Sequence, residues 1–444
     1  MATAAKLAQK ANLIDQLNLA RRVTDDLFGI LRANALYERP IAERHRIIFY
    51  IGHLEAFDWN LFLHERPHLE AFHPDFDKLF AFGIDPVDGG LPTDEPHDWP
   101  ALEKILEYRN EVRNRLGSFL DSQDSRGTEG PSLAPRSVLL HTAIEHRLMH
   151  AETLAYMFHR LPFDCKIPQR QLDWRGTEAA PEMLRIPSGT ATLGLQRGSG
   201  GVFGWDNELE AHPVDVPSFQ IGKHMVTNGE FLQFVLDGGY REPRFWAPAD
   251  WAWITETQIG HPAFWIEDGN SWLYRGMFEA ITPPSDWPVY VSHAEASAYA
   301  RWANKALPTE AQWHRAAYGE PSGAERNYPW GASEHFAGRG NFDFARWDAA
   351  PVQSAVNNVS AFGAVGMLGN GWEWSSTEFA PFSGFRPFSF YPGYSANFFD
   401  GKHFVLKGGS ARTANALLRR SFRNWFQPHY QYVYAGFRCV SNES

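Results

Sequence analysis

Near residue 165 this 444-residue chain changes character, and no single layer architecture accommodates both halves. Before that point apolar residues recur at helical spacing in four long runs. These are NLIDQLNLARRVTDDLFGIL, RIIFYIGHLEAFDWNLFLHE, WPALEKILEYRNEVRNRLGSFL and RSVLLHTAIEHRLMHAETLAYMFHRL. Four amphipathic segments of that length predict an all-α four-helix bundle over residues 1–165. A polar, proline-containing stretch, 166–182, reads as a linker. From 183 to 444 Gly, Pro, Trp and short β-like runs dominate, with EASAYARWANK and EAQWHRAAYG as short helices, so the second domain is expected to be α+β.

Bulk properties narrow the function. A net charge of −11 argues against nucleic acid and against an anionic membrane surface, because both need clustered Lys and Arg. Two cysteines, Cys165 and Cys439, make neither a disulfide framework nor a cysteine-based zinc site. The first residues lack the apolar core of a secretory signal, and no apolar run is long enough to span a bilayer. The expectation is a soluble, cytoplasmic protein.

Chemistry concentrates in EHRLMHAE, residues 145–152. His146 and His150 lie four apart in a helical run, so both imidazoles point to one side and could share a transition metal. Alone, such a pair is as well explained by a polar stripe. A third ligand changes the balance, and His53 in IIFYIGHLEAFDWN is the best candidate, since an unpaired ring in that apolar run is costly to bury. His141 is weaker, five residues from His146 and on another face. His64, His68 and His73 read as surface residues; Glu145 and Glu152 could orient the metal ligands from behind, although solvated charges are the plainer reading of both. Three neutral histidines leave open positions on an iron for O2 and substrate.

The pairing of GHLEAFDWN with EHRLMHAETL resembles the bundle of the ergothioneine-type sulfoxide synthases, whose fold is DinB-like. GWDNE, HMVTNGEFLQFVLDGGY, LPTEAQWHRAAYG, GNGWEW, VLKGGSA and SFRNWFQPHYQYVYAGFRCV resemble the formylglycine-generating-enzyme, or sulfatase-modifying-factor, domain, a C-type-lectin-like fold. The resemblance implies that His53, His146 and His150 hold Fe(II) and that O2 drives bond formation at the imidazole of hercynine (Nα-trimethylhistidine). It also implies that Asn424 and Trp425 of FRNW contact that betaine, where an aromatic face suits a quaternary ammonium. Arg423 meets the substrate carboxylate or forms a salt bridge inside the domain; both readings stay open. Tyr391 and Tyr394 lie where the family's proton donor is expected, although aromatic packing explains them equally. Whether a structural Ca2+ stiffens the domain near Asn370 is left open. Formylglycine chemistry is excluded, since ANALLRRSFRNW lacks the cysteine pair that it requires.

Departures from the family pattern fall around the pocket. Met149 stands where a glutamine is usual, Phe426 where an acid follows FRNW, and Ala411 where GGSWAT has tryptophan. Between Phe72 and Tyr108 there is no arginine to clamp a donor carboxylate, and Gly83 and Ile84 replace the tyrosines of the cysteine-using branch. Asp85, Asp88, Asp94, Glu95 and Asp98 occupy this loop instead, and acidic groups suit a hydroxylated, neutral donor. The loop resembles that of the selenoneine synthases, which couple hercynine to a selenosugar. The alternatives are a sulfoxide synthase using cysteine or γ-glutamylcysteine, and a metal-dependent thiol transferase of the DinB type.

Overall fold

The computed structural model describes residues 12–66, 69–82, 91–122, 134–169, 180–198 and 202–442. The chain divides into two compact units, Met1–Gln169 and Arg170–Ser444.

In the first unit four long helices pack together: α1 (Leu13–Phe28), α2 (Ile47–Glu65), α4 (Leu102–Asp121) and α5 (Arg136–Arg160). A short α3 (Pro74–Phe82) joins them. Asn12 caps α1, its side-chain oxygen accepting from the amides of Ile14 and Asp15 at 2.9 and 3.0 Å. α2 is apolar on nearly every face, and it is the central helix, touching α3, α4 and α5. α5 packs on α1 and α2. Two residues expected in the linker belong to this unit. Ile167 donates to the Ile30 carbonyl at 2.7 Å, and the buried Lys166 ammonium donates to the carbonyls of Phe158 and Leu161. No helix among the described residues is long and apolar enough to cross a membrane.

The second unit holds four small sheets and four short helices among its described residues. β1 (Met183–Ile186), β4 (Phe219–Gly222) and β12 (Val440–Asn442) form an antiparallel sheet with β4 central, so the two ends of the domain meet on one strand. β2 (Gly189–Leu193) pairs with β3 (His212–Val216), and β5 (Trp265–Asp268), β6 (Ser271–Arg275) and β7 (Ala280–Ile281) form a meander. The largest sheet runs β10 (Asn424–Phe426), β9 (Phe404–Gly409), β8 (Gly371–Glu378), β11 (Ala435–Gly436), which leaves β10 at an edge.

Of the helices, α6 (Asn228–Leu236), α8 (His293–Trp302) and α9 (Glu310–Tyr318) each start on a capping box, Thr227/Glu230, Ser292/Glu295 and Thr309/Gln312. α7 (Pro248–Thr257) starts on proline. α9 packs Trp313, Ala316 and Ala317 into a core with Ile186, Phe219 and Met367. GNGWEW and GFRC meet there: Arg438 Nε donates to both oxygens of Glu373 at 3.0 and 2.9 Å, and Trp313 Nε1 donates to the same carboxylate at 2.8 Å. All three side chains are fully buried, so these motifs serve the fold. Cys165 and Cys439 are buried free thiols, and burial pushes Cys439 up to about 12.

Candidate metal centre

α2 presents His53, and α5 presents His146 and His150, toward one point. Each offers one ring nitrogen, and these three atoms lie within 4.8 Å of one another. His53 Nε2 and His150 Nε2 are 3.2 Å apart. Nitrogens bound side by side to one ion at roughly 2.1 Å stand about 3 Å apart, so the His53–His150 spacing fits a shared transition metal. His53 Nδ1 lies 2.7 Å from the Phe80 carbonyl on α3. A carbonyl only accepts, so Nδ1 carries the proton and the Nε2 lone pair faces the other two rings. His150 Nδ1 is buried with no hydrogen-bond partner among the described residues.

The environment keeps the rings neutral. Burial pushes His53 down to about 4, only partly offset by its bond to Phe80. Burial, with help from the neighbouring imidazoles and from Arg147, holds His146 well below the usual histidine range; burial, His53 and Arg44 do the same for His150. Neutral imidazole is the form that binds metal. Phe57 stacks on His146 with centroids 3.4 Å apart and planes at 11°, and Phe49 stacks on His53 at 4.8 Å and 26°. The donor set therefore fits iron(II), among other divalent transition metals.

Several supporting parts were not read from the sequence. Gly52, beside His53, lets Phe80 approach: a Cβ there would stand 2.4 Å from the Phe80 ring. Gly52→Ala is expected to push α3 outward and break the bond to His53, weakening metal binding roughly tenfold. Chelator competition measures this, with circular dichroism expected to show unchanged helix content. The only signal was a glycine inside an otherwise bulky apolar run. Glu145 and Glu152, expected as solvated, are buried at 4% and 8% exposure. Each sits on α5, which is enclosed along most of its length. His64 is exposed, as expected, and neither it, His73 nor His141 joins the cluster of His53, His146 and His150. His68 and Asp85 lie outside the described residues, as do Gly83, Ile84 and Asp88. Met149 is half-buried on α5, directly before His150.

The acidic loop is partly structural. Asp94 is buried, and its carboxylate takes Trp99 Nε1 at 2.6 Å and Arg46 Nε at 3.0 Å, with Arg39 also paired to it. Asp98 accepts from the Glu95 amide at 2.7 Å. Asp94 therefore holds the loop to the bundle and is not an exposed acceptor.

In the second unit, Arg423 takes the internal of its two expected roles. Its exposure is 2%, Nε donates to Glu310 at 3.0 and 3.2 Å, and Nη1 donates to the Ala380 carbonyl at 3.0 Å. Trp425 stacks on Phe379, centroids 4.2 Å apart and planes at 7°, and meets Tyr394 edge-on at 5.4 Å. Tyr394 also stacks on Trp205 of GWDNE at 3.9 Å, and Tyr391 lies 5.6 Å from Tyr394. Burial, reinforced by Asp206, pushes the Tyr391 phenol up to about 12. Asn424 and Phe426 alternate with Trp425 along β10, so they occupy the other face, where Phe426 stacks on Tyr430 at 5.2 Å. The Asn370 carboxamide is engaged by protein groups: its oxygen accepts from Ala350 and Asn341, and its nitrogen donates to the Ala350 carbonyl.

Residues 168–443 match the family model of the sulfatase-modifying factor enzyme 1-like domain. The chain belongs to that family. Residues 16–154, which carry the three histidines, match the DinB superfamily. The sulfatase-modifying factor enzyme 1-like chain is 43% identical over 241 residues to a hercynine oxygenase of Mycolicibacterium smegmatis, covering 53% of this chain and 55% of that protein. It is 29% identical over 500 residues to Ergothioneine biosynthesis protein 1 of Neurospora crassa, covering 93% of this chain and 55% of the other. The protein of the same name from Schizosaccharomyces pombe is 26% identical over 454 residues, with 93% and 54% covered. The chain thus spans about half the length of the relatives it matches.

Proposed function

We propose that this chain is a non-haem iron(II), O2-dependent enzyme that bonds a chalcogen to the imidazole carbon of hercynine, with a selenosugar as donor. The observation that carries the reading is the convergence of three neutral imidazoles from α2 and α5. It is supported by relatives named for hercynine oxygenation and ergothioneine biosynthesis. Iron held by His53, His146 and His150 would supply the redox chemistry by which O2 oxidises the C–H and donor groups to a C–Se bond.

The chain's own residues have complementary tasks. Trp425 offers the quaternary ammonium an aromatic face, and Asn424 orients the betaine. Because the two point to opposite sides of β10, a ligand meeting both would lie along the edge of that strand away from β9, which is unpaired among the described residues. Tyr391 stays protonated at neutral pH and suits a proton donor, with Tyr394 packed beside it. Met149 beside His150 and Phe426 beside Trp425 each put an apolar side chain where the family pattern has a polar one. Selenosugar as donor is favoured by the arginine-free segment from Phe72 to Tyr108. Arg39 and Arg46, which reach this segment from outside, are both paired with Asp94, so these two are engaged by a carboxylate of the protein. Asp85 remains the proposed hydroxyl acceptor.

A second reading, a sulfoxide synthase using cysteine or γ-glutamylcysteine, is favoured by the names of the relatives. Mass spectrometry of products decides between them. Iron-loaded protein with hercynine, air and selenosugar should yield a C–Se product; a product only with cysteine or γ-glutamylcysteine would replace the selenium reading. Thiol transfer without oxygen use would favour the DinB-type transferase.

A further inference from the structure

The two helices that carry the histidines are joined by one fully buried guanidinium. Arg147 follows His146 on α5, and its side chain is only 1% exposed. Its Nη2 donates to the Leu54 carbonyl at 2.7 Å and to Asp58 Oδ2 at 2.7 Å, and its Nη1 donates to Glu55 Oε1 at 3.1 Å. All three acceptors lie on α2. Leu54 directly follows His53, so Arg147 ties the backbone one residue past the α2 ligand to the helix position one residue past the first α5 ligand. A planar fork with donors at fixed angles can hold three such acceptors at once.

We propose that Arg147 is the positioning residue of the metal centre, clamping α2 to α5 so that the His53 nitrogen stands in ligating range of His146 and His150. This rests on the reading of the three histidines as a metal site. The bundle supplies a natural control. Arg113 on α4 binds the same Glu55, at 3.1 and 2.7 Å, and also Asp25, at 2.7 Å. α4 carries no proposed ligand, so Arg113 contributes to the same buried ion cluster without linking ligand to ligand.

The test compares Arg147→Lys with Arg113→Lys in the full chain, titrating Co(II) against a chelator and recording its visible spectrum. Lysine keeps the charge but carries its three donors on one nitrogen, so it lacks the planar fork that spans these spaced acceptors. Arg147→Lys is expected to keep the helical signal, lose about 10- to 100-fold in Co(II) affinity and shift the spectrum, while Arg113→Lys binds as the parent does. Parental affinity and spectrum in a folded Arg147→Lys protein would overturn the proposal, as would an equal loss in Arg113→Lys. If Arg147→Lys does not fold, Arg147→Gln combined with Asp58→Asn removes both charges together. In that folded protein, weakened Co(II) binding supports the clamp and parental binding overturns it. A parent chain that binds no Co(II) overturns the metal reading itself, and with it the clamp.

Discussion

Replacing His150 with alanine is expected to abolish stoichiometric iron(II) loading while the bundle stays folded. His150 Nε2 is the nitrogen 3.2 Å from His53 Nε2, so it occupies the heart of the cluster. Structural zinc sites built from four ligands are worth roughly 10–16 kcal/mol, or about 2.5–4 kcal/mol per ligand. Loss of one ligand therefore weakens binding by about 100- to 1000-fold. His146→Ala is expected to behave alike, with some added loss of stability because it also removes the ring stacked on Phe57. Metal content after gel filtration measures the effect, and retained iron at one equivalent in either variant would exclude these histidines as ligands.

The second large effect concerns Arg423. Its guanidinium is buried against Glu310, with the rings of Phe382 and Phe379 4.1 and 5.1 Å from its centre. Removing one partner of a buried pair strands the other charge, which costs about 3–5 kcal/mol. Arg423→Ala should therefore lower the stability of the second unit by about that amount in denaturant unfolding. Unchanged stability with a raised KM for hercynine would instead place Arg423 in contact with substrate. The adjacent Trp425, half-buried against Phe379, should show the opposite balance: Trp425→Ala is expected to raise KM more than it lowers stability.

The bundle was legible because its signals are local and long. Four runs at helical period mark α1, α2, α4 and α5 to within a few residues, and the i, i+4 pair on α5 announces a shared face. α3 was missed because PDFDKLFAF is short and sits beside a Gly- and Pro-rich loop, yet its Phe80 carbonyl fixes the tautomer of His53. Glu145 and Glu152 read as solvated because charge predicts exposure. Their burial comes from an enclosed α5, which only tertiary structure shows.

In the second unit, α6 went unread although TNGE before FLQFVL is a capping-box signature. The two fates of Arg423 could not be separated in sequence, because its partner Glu310 lies on α9, more than a hundred positions away. Asp94 illustrates the same limit: an acidic residue in an arginine-free loop is neutralised by Arg39 and Arg46 from before α2.

Oxygen consumption by the iron-loaded chain bears most directly on the proposed function. Uptake is expected only when hercynine and a chalcogen donor are both present, fastest with the selenosugar, and absent in the His150→Ala protein. Uptake that does not depend on hercynine, or no uptake with any donor by a chain shown to hold iron, would contradict it.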